Sequence, residues 1–424
     1  MKILLFTSGS SLLALVFLSL FVPTAYVGIK VIFLLLALSN LLIFSCYSKL
    51  VWSYKTLLAC LLVSSFGFAN SLHGLVNGAP GAFKVLTVMA IWPILYAVIS
   101  SILNRPQAIK LLFSTLKVSL IAVLFYSYLF LGNMAGIVPD LFYIELEQAQ
   151  NVGFYEGVVE FSLSSTASLL FLIPLWLHMV INLVREKKAK LIYWIVLLFS
   201  LLLCVLTGRR ALLLVVVLSP AIVLVTEMIL GRGRMFLRNV VKGFVNWKSV
   251  AIVLIFISGL AFLFATIDIH LNLVFFDFIE GFNFSDSSNI ASSERANQFI
   301  SLMHAWGDGN LLFGKGNGSH TNYLRSYEMP WAYELTYIYL LFSTGIVGVV
   351  FYMSWFTWGV IRLRKALLVR SDMLVTVAPM ITGMFSLAIG AASNPYFSKF
   401  DYLWIIFLPH LLAGAIKHQE KGAK

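Results

Sequence analysis

Apolar runs close to twenty residues long recur along most of this 424-residue chain. Each is long enough to cross the hydrocarbon core of a bilayer as a helix. The runs are continuous, not alternating, which sets aside a barrel of strands about ten residues long. Charged residues are 11% of the chain and hydrophobic ones 60%, too polar-poor for the surface of a soluble domain. The expectation is an all-α polytopic membrane protein of about 12 transmembrane helices, a single membrane domain over residues 1–424. The spans fall near 4–22, 27–46, 52–70, 83–103, 110–132, 161–184, 191–206, 210–230, 249–267, 333–361, 374–393 and 401–416. So many spans follow the first that it reads as an uncleaved helix, not a signal peptide. Cys46, Cys60 and Cys204 sit inside apolar runs without metal-ligand or disulfide spacing and read as packing residues.

Charge sets the expected orientation. With the N-terminus in the cytoplasm, 22 of the 30 lysines and arginines fall on the cytoplasmic side, the bias found in inner-membrane proteins. The net charge of +12 is therefore read as this bias and not as a nucleic-acid surface. Both termini are expected in the cytoplasm of a bacterial cell, the chain being multi-pass in the inner membrane. Two outward loops are long enough to fold: an acidic one over 133–160 and a larger one over 268–332. Within the larger loop, Ser292-Ser293-Glu294 reads as a helix start. Ala296, Phe299, Ile300 and Met303 then share a face, with Arg295, Gln298 and Ser301 opposite. A short amphipathic helix along the membrane surface, ending at Gly307-Asp308-Gly309, is expected there.

Four groups of residues could carry chemistry. Arg209 and Arg210 break the charge bias, lying outside at the start of a span. Free helix amides and two guanidiniums at that end suit a pyrophosphate or carboxylate; snorkelling to headgroups is the plainer alternative. Gly314-Lys-Gly-Asn-Gly318 lacks Walker spacing and reads as a tight turn of positive-φ positions that lets the backbone approach something closely. His320 and Asn322 follow that turn, and an imidazole there could take a proton from a hydroxyl. No second ligand stands at metal-binding spacing from His320. Glu334 opens the tenth span, eleven residues before Gly345. About three helical turns would put it on one face with the helix-contact glycines Gly345 and Gly348. A salt bridge to Arg295 or Arg325 is its structural alternative.

Taken in order, these residues resemble the integral membrane family of O-antigen polymerases and O-antigen ligases. The likeness rests on Thr207-Gly-Arg-Arg210, on Arg295 about twenty residues before the glycine turn, on His320-Thr-Asn322, and on Glu334-Leu-Thr-Tyr-Ile-Tyr…Gly345-Ile-Val-Gly348. It covers roughly residues 205–350, about a third of the chain. What the resemblance implies is a metal-independent, inverting glycosyltransferase without cofactors. It would act in lipopolysaccharide biosynthesis at the periplasmic face, joining oligosaccharide repeat units carried on undecaprenyl pyrophosphate. Arg209, Arg210 and Arg295 would hold the pyrophosphate, and Asn322, Arg325 and Gly316 the sugar or acceptor. Glu334 would be the base, with His320 positioning the acceptor. The implied partners are the lipid-linked oligosaccharides and membrane lipids, with room for a chain-length regulator protein and none for nucleic acid. The segment Arg325-Ser-Tyr-Glu-Met-Pro330-Trp and the Glu334-led helix favour a polymerase over a ligase, while His320 keeps the ligase open. A transporter or flippase of the same lipid-linked units would show paired, broken half-repeats. Pro174 and Pro220 are candidate breaks, but no matching halves are evident.

Overall fold

The computed structural model describes residues 2–47, 50, 52–105, 107–146, 151–155, 158–233 and 290–421. The expected span 249–267, and the large loop as far as residue 289, lie outside them. Helices occupy the other eleven expected segments. These are α1 (Lys2–Phe21), α2 (Val27–Tyr47), α3 (Tyr54–Val76), α4 (Ala82–Leu86), α5 (Trp92–Leu103), α6 (Ala108–Met134), α7 (Leu169–Arg185), α8 (Leu191–Leu206) and α9 (Arg210–Ile229). After the undescribed stretch come α10 (Ile290–Gly307), α11 (Thr336–Val369), α12 (Leu374–Gly390), α13 (Phe400–Ile406) and α14 (Leu408–Lys421). Among the described residues, eight helical segments are long and apolar enough to cross a membrane, nine if the pair α13–α14, bent by 58°, counts as one broken span. The chain is a multi-pass helical membrane protein.

The centre of the bundle is α7 against α12, with α9 packed on both. From Leu169 to Leu175 the apolar side chains of α7 are at most 1% exposed, as befits a helix apolar all round and covered on every side. Gly383 lets α12 close on α7, for a methyl there would meet the Phe171 carbonyl oxygen at 2.5 Å. Helix α2 packs against α1 at the periphery and stays largely exposed, as a lipid-facing helix would. A buried ion pair, Lys30 Nζ to Asp401 Oδ1 at 2.8 Å, ties the first turn of α2 to the start of α13.

Two features depart from a bundle of plain helices. Residues Asn151–Tyr155 and Val158–Ser162 form an antiparallel hairpin, Tyr155 opposite Val158 and Asn151 opposite Ser162, in the acidic outward loop and reaching two residues into the span expected from residue 161. Their β-branched and aromatic residues, flanking Glu156-Gly157, were the available signal. The second is a break in α11. Gly345 adopts φ 63° and ψ −169°, outside the helical range, so Gly345 and Gly348 do not continue one ridge from the start of the helix. The expected shared face with Glu334 is corrected accordingly: Glu334 lies two residues before α11, and the helix is interrupted between the two points.

Candidate functional site

The break in α11 is what seats the glycine turn. With the helical ladder interrupted, the amides of Ile346 and Val347 donate to the carbonyls of Leu311 and Leu312, both at 3.0 Å. In return, the amides of Lys315 and Gly316 donate to the carbonyls of Phe342 and Ser343, at 3.0 and 2.8 Å. Backbone groups freed by the kink are thereby satisfied from the loop. Gly314, Gly316 and Gly318 all have positive φ, and the thing they approach closely is the protein's own backbone. A Cβ on Gly316 would stand 2.2 Å from Gly74 N, and one on Gly318 2.2 Å from Ala82 N. Gly316, expected among the sugar contacts, is buried in this packing.

The other half of the seat is a polar stripe on the apolar helix α3, which sequence reasoning missed. Asn70 donates to Asn317 Oδ1 at 2.8 Å, and Asn317 Nδ2 reaches Ser71 Oγ at 3.2 Å. His73 Nε2 lies 3.3 Å from the Gly314 carbonyl, and Asn77 donates to the Lys315 carbonyl at 3.0 Å. Asn70, His73, Gly74 and Asn77 recur at three- and four-residue spacing, which puts them on one face. That spacing was the readable signal.

The turn then carries His320 and Asn322 into an open polar cleft of about 750 Å³ between the loop and α10, lined also by Asn297, Ser301, Lys315 and Tyr323. Both His320 and Asn322 are exposed. The loop is pinned beside them: Ser301 Oγ donates to Thr321 Oγ1 at 2.6 Å, and the Thr321 amide donates to the buried Tyr333 hydroxyl at 2.8 Å.

Glu334 is on the other side of α10. Its Oε2 accepts from Arg295 Nε at 2.8 Å and its Oε1 from Arg325 Nη2 at 3.0 Å. The Glu334 amide donates to Gln298 Oε1 at 3.0 Å. Gln298 is fully buried, whereas Phe299 and Ile300 are 45% and 62% exposed. The two faces of α10 thus have different surroundings: Arg295 and Gln298 pack onto Glu334, while Phe299 and Ile300 are not covered by the described residues. Periodicity groups residues by face but does not say which face finds a partner. The helix also begins at Ile290, ahead of the expected Ser292-Ser293-Glu294 start, and ends at Gly307 as expected.

Around this carboxylate the cations gather. Tyr396, in the α12–α13 connection, is hydrogen-bonded by the Arg209 guanidinium and feels both Arg295 and Glu334. Burial pushes the Tyr396 hydroxyl above the usual phenol range, and the two arginines pull it partly back. Lys399, three residues on, is within reach of the charges of Asp401, Arg209 and Arg325. Solvent reaches Lys399, yet protein crowds it on most sides, as for a residue in an open mouth. That crowding sets its ammonium below the usual lysine range, with the two arginines adding to the effect and Asp401 opposing it. Asp401 itself is bound to Lys30. The site therefore gathers four cations: Arg295 and Arg325 on Glu334, Arg209 joined to them through Tyr396, and Lys399 within reach of Arg209, Arg325 and the carboxylate of Asp401. Sequence reasoning counted Lys399 among the outward cations but assigned it no role, and Tyr396 was missed.

The paired arginines part company in space. Arg209 caps α9 and donates from Nη2 to the Leu163 carbonyl at 3.0 Å. Arg210, the first helical residue, has Nη1 buried with no hydrogen-bond partner among the described residues. No group of three or more His, Cys, Asp or Glu among the described residues is arranged to hold a metal ion. Compared with protein-family models and with curated proteins, the chain shows no match.

Proposed function

We propose that the protein is a surface-polysaccharide polymerase of the O-antigen type, joining oligosaccharide repeat units carried on undecaprenyl pyrophosphate. In this reading the chain has twelve spans, both termini are cytoplasmic, and the loop 268–332 faces the periplasm of the inner membrane. The observation that carries it is the excess of cations around Glu334, at the end of the bundle where α9 and α11 begin and α12 finishes. Such a site favours a multiply charged anion whose charge grows as a bond breaks. The unpartnered Arg210 Nη1 at the α9 N-terminus adds a donor that an anion would satisfy.

The chemistry is a substitution at the anomeric carbon. A hydroxyl of the acceptor sugar forms the new C–O bond on the face opposite the leaving group. The bond from the anomeric carbon to the diphosphate oxygen breaks and its electron pair stays on the diphosphate, where Arg209, Arg210 and Arg295 stabilise it. The hydroxyl proton passes to Glu334, which accepts only two guanidinium bonds of the roughly four an ionised carboxylate can take. Glu334 also ties Arg295 to Arg325, so it organises the cations as well as serving as base.

The ligase reading draws on a separate observation: His320 and Asn322 line an open polar cleft away from Glu334, suited to a differently built acceptor. Purified protein in lipid nanodiscs, given the lipid-linked repeat unit alone, separates the two. Chain extension without ATP supports the polymerase. Failure to extend, with transfer to an added lipid A-core acceptor, replaces it by the ligase.

A further inference from the structure

Two apolar grooves share one wall. The first, of about 450 Å³, lies among α3, α5, α11 and α13 and is lined by Val63, Met89, Leu340, Tyr352, Phe397 and Leu403 among others. Its floor includes Val88 and Met89 from the π-helical turn Thr87–Ile91 joining α4 to α5, a local widening of the kind found at functional sites. The second, of about 560 Å³, lies between α9 and α12 and is lined by Leu218, Ala221, Val225, Phe385 and Ile389. Tyr337 and Ala388 line both grooves. The Tyr337 hydroxyl donates to the Ala388 carbonyl at 2.5 Å, closing the partition between them.

The helices that wall the grooves carry the charged residues at their outer ends. Arg209 caps α9, Glu334 stands two residues before α11, and Tyr396 and Lys399 follow α12. Each groove therefore offers an apolar channel under a shared cationic mouth, which suits a lipid with a long apolar tail and a diphosphate head.

We propose that each groove takes the apolar chain of one polyprenyl diphosphate-linked molecule, donor and acceptor lying side by side with the Tyr337–Ala388 contact between them. The inference rests on the polymerase reading and deepens it: both substrates are lipids of one class, held at one charged mouth by two separate slots. The reacting sugars are then delivered to the same place without either lipid crossing the other.

The test uses the full chain in nanodiscs and a polyprenyl diphosphate bearing a photoreactive group in its tail, with the matching neutral polyprenol as control. Bound probe is counted per chain and cross-linked peptides are mapped by mass spectrometry. The expected result is two equivalents per chain, with cross-links to α3 or α13 and separately to α9 or α12. Ala221→Trp should leave one equivalent, cross-linked to the first groove alone, and Val349→Trp, at a residue of α11 that lines the first groove, one equivalent in the second; the retained equivalent reports that each variant is folded. One equivalent in the wild-type protein, or cross-links confined to one groove, overturns the two-slot inference and leaves the polymerase reading standing. Equal labelling by the neutral polyprenol means ordinary lipid filling of the grooves and also overturns it. No labelling by the diphosphate probe at all removes the polymerase reading, and the two slots with it.

Discussion

Arg209, Glu334 and Lys399 each carry a separable prediction. Arg209 bonds Tyr396 and neighbours Lys399, so Arg209→Ala should weaken polyprenyl diphosphate binding about tenfold to a hundredfold. That is the effect of about 1.5–3 kcal/mol for one charge-assisted hydrogen bond. Arg209→Lys should recover only part of it, since an ammonium lacks the guanidinium fork; wild-type binding by Arg209→Ala would return the residue to a snorkelling role. The same pair at Arg210 tests whether its unpartnered Nη1 meets the ligand. For Glu334, the isostere Glu334→Gln removes the charge and keeps the shape. If Glu334 is the base, Gln binds the lipid diphosphate normally and chain extension falls by about a hundredfold or more. A change in binding with turnover intact would mark it as an organiser of Arg295 and Arg325 only. Lys399 loses its proton at a lower pH than an ordinary lysine because its surroundings desolvate it. Diphosphate affinity should therefore fall as pH rises through that depressed pKa, and Lys399→Arg should flatten the fall, because arginine stays charged throughout.

At the scale of elements, the joint between the glycine turn, α3 and the broken α11 holds the candidate site together. Gly345→Ala would force alanine to φ 63° and ψ −169°, a region essentially open to glycine alone, costing about 1–3 kcal/mol, and would set its Cβ 2.2 Å from the Leu312 carbonyl oxygen. The loop would have to undock. Asn317→Ala strips the side-chain bonds to Asn70 and Ser71 and leaves buried amide groups unsatisfied, at a cost of about 1–3 kcal/mol. Both variants should melt at lower temperature in detergent and be cut faster by protease between residues 308 and 323. Protease resistance equal to the wild type in both would show that the joint is not what fixes the loop. How much of this was readable differs by residue. The positive-φ glycines were legible as a tight turn because only glycine adopts those angles cheaply. Their partner was not: nothing local in residues 314–318 names the backbone of α3 or a kink thirty residues later.

For the whole molecule, the proposed orientation makes a direct prediction. Tyr327 is 91% exposed in the loop after the glycine turn, a better reporter than the buried Ser319. Tyr327→Cys, in a background with the exposed Cys46 replaced by Ser, should react with an impermeant thiol reagent once the outer membrane alone is permeabilised. Labelling that waits for rupture of the inner membrane reverses the topology and moves the cationic mouth to the cytoplasmic face.

The sequence by itself determined the multi-pass helical architecture, because a run of about twenty apolar residues in lipid has no way but a helix to satisfy its backbone. It also singled out Arg209 and Glu334, since charge at the end of an apolar run is costly, and Arg295 and Arg325 through the family resemblance and as possible partners of Glu334. Only the tertiary structure decided how they meet. Arg295 and Arg325 clasp one carboxylate, while His320 turns into a different cleft on the far side of α10. Tyr396 and Lys399 reach the site from a connection some sixty residues further along the chain than Glu334. Those contacts depend on which helices pack together, and packing in an apolar bundle is set by shape across distant segments, which no local pattern records.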